Sequence, residues 1–427
     1  MITVVGCALV LLLLAYLFHR QRVAATAAAG RNSPAGAGWS EKRPLSPHQS
    51  ARFEVSIPPL DNFVLEDADE IAYRPVRWNK HPVTMGISNM PFETWFQLDH
   101  KYTYIQKFRA LKTREDEYNT TETRAGFHDA ALECLCETAS FLSLRYPQLF
   151  RVERRQYVQS DESTWGDSFV KVEDGTVKVV HNLVTGDVWD FDAIEREEGK
   201  DWNPMKVAGQ LTVEDLAMLC ENDNQEYIFQ AGHVATQGHW RFREKLGCTL
   251  HEIHVNGPVE VPGWRDVLRK SMERYFLKMT PEKAVQRTNF TFQNGSTLQF
   301  EPSKRRHAHV VDPQWEATPE VLKSAEGMYF RVERQTLRRM PRSGALFFSF
   351  RTYLTPLLTI AKEPGVAGRM ASNVRAYPAT VDEYNSTIKY KSVLLDFLDK
   401  AHADDVASGR VKLDEKGEEI RQKSYPF

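Results

Sequence analysis

The sequence lacks the short motifs that mark several common enzyme classes. Its 427 residues contain no G-x-x-x-x-G-K-[ST] phosphate loop, no G-x-G-x-x-G turn, no G-x-S-x-G nucleophile elbow and no H-E-x-x-H zinc helix. These absences argue against a P-loop nucleotidase, a dinucleotide-binding dehydrogenase, an α/β-hydrolase and a zinc metalloprotease. The chemistry of this chain must therefore come from a different arrangement of side chains.

Cysteine is scarce as well. The five cysteines are an odd number without regular spacing, so they predict neither a disulfide framework nor a zinc site built from two cysteine pairs. A reducing compartment is the simpler interpretation. A thiolate-haem oxygenase needs a cysteine in a glycine-rich loop that also carries an arginine. Cys248, in the segment KLGCTLHEIH, lies in no such loop, which disfavours that class.

An overall excess of charge is also missing. The net charge of −2 argues against a general nucleic-acid-binding protein. Residues 331–354 are nevertheless strongly basic, because they contain six arginines and a single acid, Glu333. A guanidinium group binds a carboxylate through two parallel hydrogen bonds, so this stretch predicts a carboxylate-bearing ligand such as a haem with its two propionates. A solvated face with local glutamate pairs is the alternative. The six are Arg331, Arg334, Arg338, Arg339, Arg342 and Arg351.

One long apolar run occurs at the N-terminus. Residues 2–18 are uncharged and mostly apolar. A helix rising about 1.5 Å per residue would span roughly 26 Å over this run, close to the thickness of an endoplasmic-reticulum bilayer. Arg20 and Arg22 follow the run, and no lysine or arginine precedes it. The positive-inside rule therefore predicts that residues 1–22 anchor the chain in the endoplasmic-reticulum membrane, with its bulk in the cytosol.

A cleaved signal peptide is the alternative to the anchor, supported by the small residues ATA at 25–27. In a signal peptide the basic residues normally precede the apolar core, whereas here they follow it. Four N-glycosylation sequons would favour a luminal chain, although such triplets arise often by chance. They lie at Asn119, Asn289, Asn294 and Asn385.

The rest of the chain is expected to form one large domain. Residues 23–52 are rich in alanine, glycine and proline and predict a flexible linker. The body runs from 53 to 401 without an internal repeat, and a charged tail occupies 402–427. Helical and strand-like patterns are mixed in the body, so we expect an α+β class with an antiparallel sheet.

Several segments carry local structural signals. Helices are predicted over 91–110, over 128–144 and, from a capping-box pattern, over 212–219. Strands are predicted at SFVKV, TVKVVHNLV and HEIHV. Residues 331–354 predict a β-hairpin, because the turn residues MPRSG separate two arms and the second arm alternates in polarity.

Histidines are densest between residues 233 and 254. They could ligate a metal, or one could be the axial ligand of a haem, with ordinary surface or strand histidines as the alternative. His251 and His254 are three residues apart, so in a strand they would face opposite sides, which favours a single-ligand site. The four histidines are His233, His239, His251 and His254.

Other candidates have simpler explanations. Glu214 and Asp215 are more often acids at a helix start than catalytic carboxylates. Trp240 is more often a core residue than a ring stacked on a ligand. A membrane-bound glycosyltransferase, suggested by the anchor and the sequons, would need a D-x-D-like motif in a nucleotide-sugar fold, and DFD at 190–192 lacks that context.

The hairpin sequence YFRVERQTLRRMPRSGALFFSFRTYLTPL closely resembles the haem-dependent oxidative N-demethylase alpha-subunit-like family, whose fungal members are sometimes labelled HRQ family. Supporting segments occur in the same order along the chain, so the resemblance covers roughly 70 to 360. These segments lie at 74–90, 143–150, 211–219 and 238–259.

The resemblance implies a PAS-like fold that encloses a haem b with a histidine axial ligand. The family's Ile-His pair falls on Ile253 and His254, so His254 is the predicted ligand of the iron. The other three histidines are the next candidates for this role. The family commonly continues IH-x-P-V-P, whereas this chain reads HVNGPVEVP with an inserted residue.

The resemblance also implies roles for polar side chains near the cofactor. Arg334 and Arg351, on the two arms of the hairpin, are the predicted partners of the haem propionates. Trp240 is a candidate to contact the cofactor. Candidates for catalytic pocket polarity are Glu214, Asp215, Glu333 and Tyr353.

The characterised enzyme type of this family oxidises a small methylated amine, releases formaldehyde and takes electrons through separate flavin-bearing subunits. No flavin motif is found in this chain, so the implied partners are a small-molecule amine, O₂ and an external NADPH/flavin reductase. With a membrane tether, a membrane reductase and a larger, more apolar substrate from secondary metabolism are expected. A haem- or ligand-binding PAS-like sensor without turnover is the alternative.

Overall fold

The structure of the protein is a computed structural model. It describes residues 54–78, 81, 83–157, 168–170, 174–238, 240–257, 259–298, 321–415 and 420, all within the unit that spans 45–427. The predicted anchor and the whole of the predicted linker lie outside these described residues. Within the described part of the chain, no helix is long and apolar enough to cross a membrane. The anchor therefore stays a prediction.

Helices and strands are mixed along the described chain. The helices are α1 (Tyr102–Glu115), α2 (His128–Arg145), α3 (Phe191–Glu198), α4 (Pro204–Leu211), α5 (Phe242–Lys245), α6 (Leu250–Val255), α7 (Arg269–Lys278), α8 (Leu357–Ile360), α9 (Val366–Arg375), α10 (Ala379–Tyr384) and α11 (Lys391–Ala407). A π-helical turn (Trp264–Leu268) precedes α7, and short 3-10 turns cover Leu65–Asp67, Phe92–Thr94, Glu117–Asn119 and Thr387–Lys389. The strands are β1 (Ser88–Asn89), β2 (Thr121–Thr123), β3 (Phe150–Arg154), β4 (Val177–Asn182), β5 (Val188–Asp190), β6 (Asp215–Glu221), β7 (Tyr227–His233), β8 (Val285–Asn294), β9 (Met328–Arg339) and β10 (Leu346–Pro356).

The described strands form two antiparallel sheets. The larger has seven strands in the order β1-β8-β9-β10-β6-β7-β2, and the smaller has three in the order β3-β4-β5. Every recorded strand pair is antiparallel. The expected α+β class with an antiparallel sheet is confirmed.

The large sheet is packed on both faces. Side chains alternate between the faces along a strand, and residues paired across strands share a face. Met218 and Phe347 pack with α2 into the largest apolar cluster, and we call their side the first face. Leu219 and Leu337 pack on the opposite side with Trp264 and α6, and we call that side the second face.

The predicted hairpin is confirmed. β9 and β10 pair antiparallel along almost their whole length, with Arg334 opposite Arg351 on the first face. Glu333 and Thr352 are the next pair and therefore point to the second face. Arg334 and Arg351 were expected to serve one site together with Glu333. The sheet instead separates these two arginines from Glu333.

Residues 212–219 do not form the predicted helix. Helix α4 ends at Leu211, and β6 begins at Asp215. The run from Asp215 to Cys220 is buried throughout, because β6 is a central strand that packs on both faces. Burial on both faces overrides the local capping pattern that suggested a helix.

The segment HEIHV is helical, so its prediction as a strand is wrong. Thr249 precedes α6, and its hydroxyl accepts a hydrogen bond from the Glu252 backbone N–H at 3.2 Å. The Glu252 carboxylate accepts in return from the Thr249 N–H at 2.8 Å. This Thr-x-x-Glu capping box supplies partners for two backbone donors and starts the helix.

The remaining predicted elements agree in part with the described structure. Helix α2 matches the prediction over 128–144, and β4 lies within TVKVVHNLV. The predicted helix over 91–110 is right only from Tyr102 onward, where α1 begins. Of SFVKV, residues 168–170 form a turn, and the last two residues lie outside the described part of the chain.

Candidate functional site

Helix α6 presents the imidazole of His254 in a defined tautomer. His254 Nδ1 lies 2.6 Å from the carbonyl oxygen of Leu250, one turn earlier in the helix. Because a carbonyl can only accept, Nδ1 must carry the proton and donate it. Nε2 of the neutral ring therefore keeps its lone pair, and no described residue donates a hydrogen bond to it. This is the arrangement by which proteins orient a histidine that binds a metal.

The His254 ring is held neutral. Burial lowers its pKa to about 4, with the hydrogen bond to Leu250 opposing the shift and the positive charges of Lys245 and Arg287 adding to it. At neutral pH the ring therefore carries no charge. A neutral imidazole with a free Nε2 lone pair can bind iron, whereas an imidazolium ion cannot.

Trp264 fixes His254 from the side. The two rings stack with centroids 3.8 Å apart and planes 2° from parallel. The fully buried indole also donates from Nε1 to His251 Nδ1 at 3.0 Å. The expectation that His251 and His254 face opposite sides of a strand is wrong, because they lie one turn apart in a helix and both contact Trp264.

The second face carries an arginine that the sequence analysis missed. Arg287 on β8 pairs in register with Gln335 on β9, and its Nε is buried without a hydrogen-bond partner among the described residues. Burial lowers the pKa of Arg287, and the charge of Glu333 acts in the opposite direction. Arg287 in turn helps to lower the pKa of His254, so the two lie within electrostatic reach. In the sequence, Arg287 could be noticed only as an arginine within a segment whose polar and apolar residues alternate.

Two other predicted site residues lie on the second face. Glu333 accepts hydrogen bonds from Arg331 and Gln335, both at 3.3 Å. Trp240 packs 5.9 Å from the ring of Phe350 in the small apolar cluster that also contacts α6. The structure therefore brings Glu333 and Trp240 to the side of the sheet that carries His254.

Arg334 and Arg351 lie on the first face and already have protein partners. Arg351 pairs with the buried carboxylate of Asp99 and lies over the ring of Tyr353 at 4.7 Å. Arg334 donates to the backbone carbonyl of Trp95 at 2.9 Å. This placement gives no support to their predicted contact with cofactor carboxylates, and it also separates Tyr353 from His254.

The acids Glu214 and Asp215 differ sharply in their surroundings. Asp215 is fully buried and accepts hydrogen bonds from Arg109 at 2.6 Å and from the Thr236 N–H at 2.8 Å. Its partners are those of a structural ion pair. Glu214 is also buried, but neither carboxylate oxygen has a hydrogen-bond partner among the described residues. Burial raises the pKa of Glu214, with the nearby Arg351 opposing the shift.

His233 cannot offer a lone pair to a metal in this arrangement. Its Nδ1 lies 2.8 Å from Arg109 Nη2, and its Nε2 lies 2.9 Å from the hydroxyl of Thr113. His239 lies outside the described residues. Among the described residues, no group of three or more histidine, cysteine, aspartate and glutamate side chains is placed to share a metal ion. The geometry therefore favours one protein ligand, His254.

The chain matches a family model over most of its length. Residues 86–395 match the sequence model of a family described as haem-dependent oxidative N-demethylase, alpha subunit-like. The chain belongs to that family. The matched range contains His254, Arg287 and the whole β9–β10 hairpin, so the N-demethylase-like domain coincides with most of the described body.

The second face of this N-demethylase-like domain fits a haem. Haem needs an axial donor, and His254 offers Nε2 from a neutral, oriented ring. Haem also carries two propionates, and the buried Arg287 Nε has no partner among the described residues. A buried N–H donor without a partner is costly unless an acceptor, such as a propionate, completes it.

In the arginine-rich hairpin of the N-demethylase-like domain, three of the six arginines pair with acids of the protein itself. The expectation of an external anion rested on counting one acid within residues 331–354. Acids that are distant in sequence supply two of the partners, and Arg339 donates to the backbone carbonyls of Met279 and Gly344. The ion pairs are Arg331–Glu333, Arg338–Glu137 and Arg351–Asp99.

Proposed function

We propose that this protein is a haem b-dependent oxidoreductase that demethylates a small amine, with His254 as the axial ligand of the iron. The observation that carries the proposal is the His254 ring, which is neutral, held through Nδ1 and open at Nε2. Membership of the N-demethylase alpha-subunit-like family supports the class of reaction.

Residues of the second face would hold the cofactor and substrate. His254 would bind the iron, Arg287 would pair with a propionate, and Trp240 would line the pocket. Bound haem supplies the activation of O₂ that oxidises a C–H bond beside nitrogen, after which the amine releases formaldehyde. Glu333, a partly buried carboxylate on the same face, would attract a protonated amine and orient it.

The finer features inferred from the sequence extend the proposal. The antiparallel sheet with helices is compatible with a PAS-like fold. We propose an external NADPH/flavin reductase as electron source, a tether to the cytosolic face of the endoplasmic reticulum through residues 1–22, and an apolar amine of secondary metabolism in a fungus as substrate. The absence of a flavin motif in the sequence supports the first of these.

The test is an absorption spectrum of the full chain reconstituted with haem. We expect a Soret band, and we expect His254→Ala to shift or abolish it, because the axial donor is lost. His181→Ala, which removes a histidine from β4 in the smaller sheet, is the matched control and should leave the band unchanged.

Two results would contradict the proposal in different ways. No Soret band in the wild-type chain would exclude the haem function altogether. An unchanged band in His254→Ala would reject this ligand. Formaldehyde release from methylated amines, with NADPH and a reductase, then separates an enzyme from a haem sensor without turnover.

A further inference from the structure

A basic cleft lies on the outer side of the Trp264–His254 pair. It encloses about 300 Å³ and is lined by His251, Arg265, Arg269, Lys270 and Glu273. The lining therefore contains three permanently charged cations and one carboxylate. In a chain whose net charge is −2, this is a local excess of positive charge.

The cations of the cleft are only partly neutralised. Arg265 pairs with Glu260 at 2.8 Å, and Arg269 pairs with Glu273 at the same distance. The ammonium group of Lys270 pairs with none of the described carboxylates. Surface pairs of this kind are weak in water and exchange readily for the acids of a partner protein.

The local backbone explains why these cations lie beside Trp264. The Leu268 N–H bonds to the Gly263 carbonyl and the Arg269 N–H bonds to the Trp264 carbonyl, both five residues back. Such π-helical turns occur often at functional sites. Trp264 is fully buried, whereas Val267 within the same turn is 51% exposed. The turn thus presents an aliphatic side chain together with basic ones, a mixture typical of protein interfaces.

A continuous set of contacts leads from the cleft to the axial histidine. His251 lines the cleft and accepts a hydrogen bond from Trp264 Nε1 at 3.0 Å. Trp264 stacks on His254 at 3.8 Å. Two aromatic rings therefore connect the cleft to the ring proposed to bind the iron, without an intervening gap.

We propose that this cleft is the docking surface of an acidic flavoprotein that donates electrons, and that His251 and Trp264 connect it to His254. The inference rests on the proposed haem function and names the surface that its electron donor uses. In each encounter the reduced flavin loses one electron and the ferric iron gains it. Positive charge on the cleft speeds encounter with an acidic partner and makes the rate dependent on salt.

The test measures reduction of the haem-loaded full chain by a reduced acidic flavodoxin in a stopped-flow instrument. Lys270→Glu and, separately, Arg265→Glu should lower the second-order rate constant roughly tenfold at low ionic strength, and the difference should shrink at high salt. Reduction by dithionite, a small reductant that needs no docking, should keep its wild-type rate. Lys107→Glu, an exposed position on α1, is the matched control and should change neither rate.

The outcomes separate this inference from the proposed function. A wild-type chain without a haem spectrum overturns both. A normal haem spectrum with unchanged flavodoxin rates in both cleft variants overturns docking at this surface and leaves the haem function intact. Loss of haem from Lys270→Glu would assign the cleft to the cofactor carboxylates and would also reject docking. Binding of flavodoxin to the immobilised chain gives a second readout, and the cleft variants should weaken it by a similar factor.

Discussion

Two buried arginines show why a guanidinium group must be judged by its neighbours. Arg351 pairs with the carboxylate of Asp99, and both side chains are almost fully buried. Arg287 has its Nε buried with no hydrogen-bond partner among the described residues. The difference lies in the carboxylate, because Arg351 Nε also lacks a hydrogen-bond partner among the described residues. Breaking the Arg351–Asp99 pair leaves a bare buried charge, whereas the Arg287 Nε–H is a donor that still awaits an acceptor.

This difference predicts the effect of removing Arg287. Arg287→Met should weaken haem binding by roughly 10- to 100-fold, because a charge-assisted hydrogen bond contributes about 1.5–3 kcal/mol. The unfolding free energy of the haem-free chain should stay equal or rise, since the buried Nε of Arg287 has no hydrogen-bond partner among the described residues that its removal would leave unpaired. Haem titration followed by absorbance and urea unfolding of the haem-free protein measure the two quantities.

Arg351→Met is the matched control for that experiment. It should lower the unfolding free energy by about 3–5 kcal/mol, because Asp99 would remain as an uncompensated buried charge. The haem affinity of the folded fraction should change little. The opposite pattern, with haem affinity lost in Arg351→Met and kept in Arg287→Met, would restore the sequence-based assignment of the propionate partner.

At the scale of elements, helix α2 holds the tip of the β9–β10 hairpin. The fully buried Glu133 accepts hydrogen bonds from the backbone N–H groups of Arg342 at 2.7 Å and Ser343 at 2.8 Å. Burial raises the pKa of Glu133 to about 7, against the effect of the hydrogen bonds from Ser343. The protonation state of Glu133 is therefore coupled to the hydrogen bonds that hold the tip of the hairpin.

The coupling predicts a pH-dependent stability. The folded pKa of Glu133 lies above its unfolded value near 4.5, so the folded state binds more protons between these two values. The free energy of unfolding should therefore fall as the pH rises from about 4.5 to 7, by up to about 3 kcal/mol from this group. Glu133→Gln, which cannot titrate, should remove that part of the slope.

Urea unfolding of both proteins at several pH values checks this prediction. The quantity to compare is the difference in unfolding free energy between the variant and the wild type, because other titrating groups then cancel. A difference that stays constant between pH 4.5 and 7.5 would mean that Glu133 keeps an ordinary pKa when folded.

Elements with a strong alternating pattern could be predicted from the sequence, and those decided by competing signals could not. The hairpin was predicted because β10 alternates and a turn-rich segment precedes it. For α6 the helix signal was present, since Thr249 and Glu252 form a capping box, but the short apolar pattern of HEIHV favoured a strand. For β6 the capping pattern at 212–215 was outweighed by burial on both faces.

The candidate site, like the secondary structure, could be predicted from the sequence only in part. His254 was proposed as a ligand from a family pattern, and that role stays a prediction. The partners of the hairpin arginines could not be predicted, because Asp99 and Glu137 are far from the hairpin in sequence. Only the fold shows that Arg351 is already paired and that Arg287 faces the side of His254.

At the scale of the whole molecule, the large sheet separates the side with the largest apolar cluster from the side of the proposed haem site. The first face carries the ion pairs of Arg338 and Arg351 and the largest apolar cluster. The second face carries His254, Arg287 and Glu333. Buried side-chain nitrogens without a hydrogen-bond partner among the described residues occur on both faces, since Arg338 Nε and Arg351 Nε share this feature with Arg287 Nε. The carboxyl group of Glu214 also lacks such a partner and has no role in the proposed mechanism.

The position of Asn289 on the sheet bears on the proposed membrane topology of the chain. Asn289, one of the four sequon asparagines, is exposed on β8 and pairs in register with Glu333. It therefore lies on the second face, two residues from Arg287. A glycan at Asn289 would occupy the side of the sheet that carries the proposed haem site. Glycosylation there and haem binding should exclude each other, so the proposed haem site and the proposed cytosolic topology can be tested together.

We therefore expect the full chain to stay in the membrane pellet after alkaline carbonate extraction and to carry no N-glycan. Enzymatic deglycosylation should leave its electrophoretic mobility unchanged, and a chain without residues 1–22 should move to the supernatant. Asn119→Gln, at a sequon in the 3-10 turn that precedes β2, is the control for glycosylation elsewhere. A mobility shift that only Asn289→Gln abolishes would place the domain in the lumen, and the haem site could not then use the second face.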